Sequence, residues 1–109
     1  MTTALQARLP DGFPLSEVAA ICERWGVSRL ELFGSRARGD FEESSDFDFL
    51  YSKIDPLTFG LDNLCGLADD LEALLEKKVD LVSRTAVETS RNPYRKSSIL
   101  GDAVVAYAK

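Results

Sequence analysis

The sequence predicts a single α/β or α+β domain, in which helices pack on a mixed β-sheet. Short apolar segments of strand length alternate with longer segments whose apolar residues follow helical spacing. The chain has 109 residues, 45% of them hydrophobic, which suits one buried core and leaves no room for a second ordinary domain. The first dozen residues show little periodicity, so we expect a loose arm over residues 1–12 and the domain over 13–109.

The first helix is expected from Leu15 to Trp25, where apolar residues recur at intervals of three and four positions. Ser16 is a candidate N-cap, and Gly26 is typical of a residue that ends a helix. The next segment, Val27 to Phe33, carries apolar residues at alternating positions and predicts the first strand. A helix therefore leads directly into a strand.

Gly34 and Ser35 interrupt the pattern after the first strand. Ser35 to Arg38 is then expected to form one helical turn, which Gly39 ends. The second strand is predicted from Asp46 to Tyr51, where aromatic and aliphatic residues predominate. One helical turn and a polar loop thus connect the two strands.

The second half of the chain predicts one long helix and several shorter elements. The helical period of apolar residues runs from about Thr58 to Glu76. A short strand over Val79 to Val82 follows, and a helical turn is expected around Pro93 to Leu100. The last apolar segment, Ala103 to Ala108, fits either a strand or a helix.

The charge balance argues against nucleic acid as a partner. The chain has 13 lysines and arginines against 18 aspartates and glutamates, a net charge of −5. Proteins that bind nucleic acid usually show the opposite balance, because contacts between basic side chains and phosphates supply most of their affinity. We therefore expect no nucleic-acid partner.

Residue types that are absent or rare narrow the chemistry further. The chain has no histidine, which excludes Ser-His-Asp and Cys-His nucleophiles and every histidine-ligated zinc site. Cys22 and Cys65 occupy apolar positions of predicted helices, which favours buried reduced thiols over a disulfide. There is no secretory segment and no apolar run of about 18 residues, so a cytoplasmic protein without a membrane partner is expected.

Two carboxylates on the second predicted strand stand out. Asp46 and Asp48 are one residue apart, so they face the same side of the strand, and Phe47 and Phe49 face the core. Adjacent carboxylates repel each other and lower stability unless a cation lies between them. A solvated strand face is the simpler alternative, although the other residues of this strand are apolar. A pair of Mg²⁺ ions is the interpretation we favour.

Gly34 and Ser35 lie between a strand and a short helix, where backbone N–H groups and a hydroxyl can bind phosphate. Arg36 and Arg38 are close enough in sequence to add positive charge, and an arginine can bind a phosphate through two hydrogen bonds. Taken alone, the Gly-Ser pair is also compatible with a plain turn. Together with the carboxylates it predicts a phosphate site.

Asp80 lies within the third predicted strand and is a candidate third carboxylate. If the three strands are neighbours, the carboxylates can form an oxygen-rich cluster suited to hard cations that bridge substrate phosphates. Two such ions about 3.5–4 Å apart stabilise the attacking and leaving oxygens of an in-line displacement. An isolated aspartate on a solvated strand face remains the alternative for Asp80.

These residues resemble the signature of minimal nucleotidyltransferases, small members of the DNA polymerase beta superfamily. The likeness rests on Phe33-Gly-Ser-Arg-Ala-Arg-Gly39, on Ser45-Asp-Phe-Asp48 after a gap, and on a later aspartate in Val-Asp-Leu-Val. It extends from about Leu15 to the C-terminus. It implies a polymerase-beta-like nucleotidyltransferase fold.

The resemblance also implies a role for each residue of the signature. Gly34 and Ser35 would hold the triphosphate, and Asp46 and Asp48 would ligate both Mg²⁺ ions. Asp80 would ligate one ion and help to deprotonate the attacking hydroxyl. The implied reaction transfers AMP from Mg-ATP to a hydroxyl and releases pyrophosphate.

The acceptor is implied by the family and by no single residue. Small members of this kind are typically paired with a HEPN-domain ribonuclease toxin and adenylylate a tyrosine beside its RNase site. The resemblance therefore implies an antitoxin in a hetero-oligomer with such a toxin. Two alternatives remain open: an antitoxin that neutralises by contact alone, and a nucleotidyltransferase with a small-molecule acceptor.

Overall fold

A computed structural model describes residues 9, 10 and 12–109, so the predicted N-terminal arm lies largely outside the described residues. Four strands form one sheet with helices on both faces. The elements in chain order are α1 (Leu15–Trp25), β1 (Val27–Phe33), α2 (Ser35–Arg38), β2 (Phe47–Lys53), α3 (Leu61–Leu75), β3 (Val79–Ser83), α4 (Arg84–Glu88), α5 (Pro93–Asp102) and β4 (Val104–Ala108).

The strands are arranged in the order β3-β2-β1-β4. β1 is antiparallel to both β2 and β4, whereas β2 and β3 are parallel and connected through α3. The mixed sheet and its flanking helices confirm the predicted fold class. Because of these directions, the end of β1 and the starts of β2 and β3 meet at one edge of the sheet.

Alternating side chains of the strands enter two separate cores. Phe47 and Phe49 pack toward α1 and α3, as expected from the sequence, in the larger cluster. Leu50 points to the opposite face, where Val87 of α4 and Ile99 of α5 cover it. Both faces of the sheet are therefore covered by helices.

Glu31 is the buried charge of the second face, with only 3% of its surface exposed. Arg84 donates a hydrogen bond from Nη1 to its carboxylate, and Arg29 lies 3.4 Å away through Nε. A buried carboxylate requires such partners, because its desolvation is costly without them. α4, which supplies Arg84, is too short for its helical period to be visible in the sequence.

Several predicted boundaries are wrong. Ser16 lies inside α1, whose N-cap is Pro14 without a side-chain cap, whereas Gly26 ends the helix in the left-handed conformation as expected. α3 begins at Leu61, three residues later than predicted, because residues 56–58 form a turn. The last apolar segment, for which the sequence allowed either a strand or a helix, is the strand β4.

The prediction for the cysteines is half correct. Both thiols are free, and burial raises the pKa of Cys22 to about 12. Cys65 is exposed, because its position on α3 faces away from the core that Leu67 and Leu71 fill. In the described part of the chain, no helix combines the length and apolar character needed to cross a membrane.

α1 and α3 approach each other closely at Gly66. The indole of Trp25 lies over this glycine and is held there by a 2.8 Å hydrogen bond from Nε1 to Asp70 Oδ2. A Cβ at position 66 would lie 2.3 Å from a ring carbon. The glycine is therefore required by packing, although it weakens the helix on its own account.

We predict that Gly66→Ala lowers the free energy of unfolding by about 1–3 kcal/mol, because the methyl group displaces the anchored indole. The matched control is Gly101→Ala in α5, where a Cβ meets nothing within 4 Å. That substitution should raise the free energy of unfolding by up to about 1 kcal/mol. Urea unfolding followed by circular dichroism measures both, and equal effects would contradict the packing role.

Candidate active site

The sheet brings the sequence-predicted residues to one edge. Asp48 on β2 pairs with Phe33, the last residue of β1, and on its other side with Asp80 of β3. Gly34 directly follows Phe33. The Gly-Ser turn and Asp80 therefore flank Asp48, which lies on β2, one of the two central strands.

Gly34 has a backbone conformation that side chains do not tolerate, with φ 78° and ψ −157°. A Cβ on this residue would lie 2.6 Å from Asp48 Oδ2. The backbone of the turn thus packs directly against the carboxylate. The sequence signature requires a glycine here for two physical reasons, its backbone angles and its lack of a side chain.

α2 begins immediately after this glycine, as predicted. The backbone N–H groups of Ala37 and Arg38 donate to Gly34 O at 3.1 and 3.0 Å. Gly39 ends the turn in the left-handed conformation. The N–H groups at the start of a helix lack partners within that helix, so those at Ser35 and Arg36 are available to ligands or other groups.

Asp48 is half-buried and surrounded by negative charge. Burial raises the pKa of the Asp48 carboxyl, and the nearby carboxylates of Asp80 and Asp46 raise it further. The positive charge of Arg38 acts in the opposite direction. Asp80 is exposed, so Asp48 is the inner member of the pair and Asp80 the outer one.

The sequence predicted that the second strand begins at Asp46, but in the structure Asp46 lies outside the strand. β2 begins at Phe47, whose N–H donates to Lys78 O at 2.9 Å, so Asp46 belongs to the loop before it. Within residues 9, 10 and 12–109, no three acidic or cysteine side chains are grouped closely enough to form a metal site. The predicted three-carboxylate cluster is thus a contacting pair, Asp48 and Asp80, with Asp46 beside it.

The two arginines of α2 have different surroundings. Arg38 is partly exposed and donates from Nη1 to Asp102 Oδ2 at 2.7 Å and from Nε to Asp40 Oδ2 at 3.2 Å. Arg36 is only 8% exposed, and its guanidinium donates to the backbone carbonyls of Ser45 and Glu43. The sequence predicted Arg36 as a phosphate ligand. In the structure its guanidinium instead holds the loop before β2.

Asp102 and Phe41 are the site residues that the sequence did not reveal. Asp102, at the end of α5, anchors Arg38 across 64 positions of sequence, and no local pattern marks such a contact. Phe41 stacks on the guanidinium of Arg36 with 4.3 Å between the guanidinium carbon and the ring centroid. An aromatic residue in an otherwise acidic loop was the available signal for it.

Comparison with known proteins agrees with this geometry. Residues 17–106 match the family model of the nucleotidyltransferase domain. A candidate protein adenylyltransferase of Methanocaldococcus jannaschii is 38% identical over 82 residues, which are 75% of this chain and 79% of that protein. The protein adenylyltransferase MntA of Thermococcus cleftensis is 38% identical over 69 residues, 62% of this chain and 66% of its own.

Solved structures show the same fold. The structure of a candidate minimal nucleotidyltransferase matches with a TM-score of 0.66 at 32% identity, over 83% of this chain and 86% of that one. A toxin–antitoxin complex with AMP-PNP matches with a TM-score of 0.66 at 18% identity, over 89% of this chain and 75% of that one. Since the family model covers most of the chain and its signature residues meet at one edge of the sheet, the chain belongs to the nucleotidyltransferase domain family and is a nucleotidyltransferase.

Proposed function

We propose that this nucleotidyltransferase is an antitoxin that transfers AMP from Mg-ATP to a tyrosine hydroxyl of a HEPN ribonuclease toxin, with release of pyrophosphate. One observation supports the nucleotidyl transfer most directly: Gly34 packs against Asp48, which pairs with Asp80, so the Gly-Ser turn and a carboxylate pair share one edge. The relatives named as protein adenylyltransferases support a protein as the acceptor.

The donor set fits a divalent cation. Asp48 and Asp80 offer carboxylate oxygens, which Mg²⁺ prefers, and Asp46 adds a third negative charge beside them. Crowding of like charges around a half-buried carboxylate is the situation that a bound cation relieves. When two Mg²⁺ ions are bound here, they would neutralise the triphosphate and make the acceptor oxygen more acidic.

The residues of the chain itself position the reactants. Gly34 and Ser35 hold the phosphates through backbone N–H groups and a hydroxyl, and Arg38 adds a guanidinium at the end of the same turn. Asp80 is the exposed member of the carboxylate pair, so an incoming hydroxyl can reach it. It accepts the proton of that hydroxyl on a carboxylate oxygen.

The toxin completes the active site in this proposal. Its tyrosine supplies the acceptor oxygen, and the two proteins form a hetero-oligomer in the cytoplasm. Burial of the antitoxin surface in such a complex would also stabilise a small domain through its binding free energy.

The first test follows label from ATP. The chain is incubated with α-labelled ATP, Mg²⁺ and the product of the adjacent reading frame, and compared with an Asp46→Asn, Asp48→Asn double variant. Transfer to the partner should fall by roughly a hundredfold to a thousandfold in the variant, the cost typical of losing a preorganised electrostatic group. The matched control is Asp62→Asn, Asp69→Asn, which removes two exposed charges from α3.

The outcomes of this test separate the candidate functions. Label on the wild-type partner that disappears when its tyrosine is changed to phenylalanine supports the proposal. If the double variant still inhibits the toxin but transfers no label to it, the antitoxin acts by contact. Label found only on small molecules would identify a different acceptor.

The second prediction concerns Gly34. Gly34→Ala should reduce transfer by about a hundredfold or more, because its methyl group would lie 2.6 Å from Asp48 Oδ2 and displace the carboxylate. Gly39→Ala is the control, since Gly39 also has positive φ, 89°, but a Cβ there meets nothing within 4 Å. It should cost about 1–2 kcal/mol of stability and little activity. Equal losses of activity in the two variants would contradict the role of the close contact.

The third prediction concerns the crowded carboxylate. Without divalent ions at pH 7, Asp48→Asn should raise the free energy of unfolding by roughly 0.2–1 kcal/mol, because it removes repulsion between like charges. The pKa of Asp48 is raised in the folded state, so this carboxylate favours folding when protonated and loses that contribution as the pH rises through the raised pKa. The difference in the free energy of unfolding between Asp48→Asn and the wild type should therefore shrink as the pH is lowered toward 3.8, the ordinary pKa of this carboxyl.

Thermal melts in EDTA and in Mg²⁺ check this prediction. Mg²⁺ should raise the melting temperature of the wild type and leave Asp48→Asn nearly unchanged. Asp62→Asn serves as the control for loss of one exposed charge. A variant less stable than the wild type in EDTA at pH 7 would show that the carboxylate is not crowded.

A further inference from the structure

Arg36 is a buried arginine beside the Gly-Ser turn, and the reaction proposed above gives it no part. Its Nε and Nη2 both donate to Ser45 O, at 3.2 and 2.9 Å, and Nη2 also donates to Glu43 O at 3.0 Å. Phe41 and Phe47 stack on its guanidinium, with ring centroids 4.3 and 4.6 Å from the central carbon.

These contacts leave the guanidinium little freedom to bind a nucleotide. The Nε–Nη2 edge, one of the edges through which an arginine grips a phosphate, is occupied by carbonyl oxygens. Rotation toward a ligand would break three hydrogen bonds and remove the side chain from between two rings. Arg36 is therefore placed to fix protein structure.

The structure that it fixes is the loop that ends at Asp46. Ser45 O belongs to the peptide group that joins Ser45 to Asp46, and Arg36 holds that group from one side. The next peptide group is held from the other side, because Phe47 N donates to Lys78 O at 2.9 Å. The backbone of Asp46 thus lies between two anchored peptide groups, although Asp46 is outside the sheet.

The same loop is closed internally by its own turn. Ser45 N donates to Glu42 O at 3.0 Å, and Glu42 N donates to Ser45 Oγ at 2.9 Å. These bonds shape the turn but do not tie it to the remainder of the domain. Arg36, which belongs to α2 beside the Gly-Ser turn, supplies that connection.

We infer that Arg36 is a positioning residue that orients Asp46 toward the Asp48–Asp80 pair by clamping the peptide group in front of it. This inference rests on the proposed nucleotidyl transfer and adds a residue that sets the geometry of its third carboxylate. It assigns the two arginines of α2 separate tasks: Arg38 faces the nucleotide, and Arg36 holds the loop.

Arg36→Lys tests the inference while keeping the positive charge, because a single ammonium group cannot reproduce the planar fork between the two rings. We expect kcat to fall by about tenfold to a hundredfold and KM for Mg-ATP to change less than about threefold, as for a misplaced catalytic group. Arg24→Lys is the matched control. Arg24 lies in the last turn of α1, where it forms an exposed ion pair with Asp70 of α3.

Two readouts do not depend on turnover. Hydrogen exchange at the amides of residues 45–47 should accelerate by about tenfold in Arg36→Lys and remain unchanged in Arg24→Lys. The rise in melting temperature that Mg²⁺ alone produces in the wild type should shrink in Arg36→Lys. If Arg36→Lys does not fold, Phe41→Leu replaces it, since it removes one ring of the clamp at a partly exposed position and should give smaller changes of the same kind.

The possible results are distinguishable. A rise in KM of tenfold or more with kcat preserved would overturn the inference and make Arg36 a phosphate ligand. Unchanged exchange at residues 45–47 together with unchanged kcat would overturn it as well. A wild type that transfers no label would refute the proposed function, and the exchange and Mg²⁺ melting data would then still decide the role of Arg36.

Discussion

The contact between the Gly34 backbone and the Asp48 carboxylate is the constraint on which the site depends. It exists because β2 is a central strand whose first residues pair with the end of β1 on one side and with the start of β3 on the other. A single position of β2 thereby receives both the turn suited to phosphate and the second carboxylate. The antiparallel β1–β2 pair and the parallel β2–β3 pair are both needed, since reversing either would move one component to the opposite end of the sheet.

This arrangement brings like charges together in the folded protein, since Asp48 lies beside the carboxylates of Asp80 and Asp46. Asp48 is half-buried next to Asp80, and Arg38, the positive charge that acts on it, is shared with Asp102 and Asp40. The second buried carboxylate of the sheet shows the contrast, because Glu31 is matched by Arg84 and Arg29. The domain thus pairs one acidic group with cations where it supports the fold and crowds another beside Gly34, and strongly perturbed titratable groups of the second kind are common at functional sites.

Much of this could be predicted from the sequence because the informative patterns are local. Helical period predicted α1 and the body of α3, strand alternation placed Phe47 and Phe49 in the core, and the Gly34–Asp48 spacing identified the family. The remainder depends on contacts between distant residues. α4 is a single short turn stabilised by packing on β2 and β3, and the start of β2 was misjudged because Asp46 continues the alternation without joining the ladder. Periodicity describes side-chain direction and cannot tell where hydrogen bonding between strands stops.

The two arginines of α2 show why charge and proximity alone do not assign a phosphate ligand. They are two residues apart on a helical turn, so their side chains leave the helix in different directions. One direction leads to Asp102 at the end of α5, in partial contact with solvent, and the other leads between Phe41 and Phe47 to the carbonyl of Ser45. A guanidinium suits both places, because it binds anions through its edge and stacks on aromatic rings through its faces. The positions of the aromatic residues therefore favour Arg36 as the arginine that holds the loop, because Phe41 and Phe47 both stack on its guanidinium.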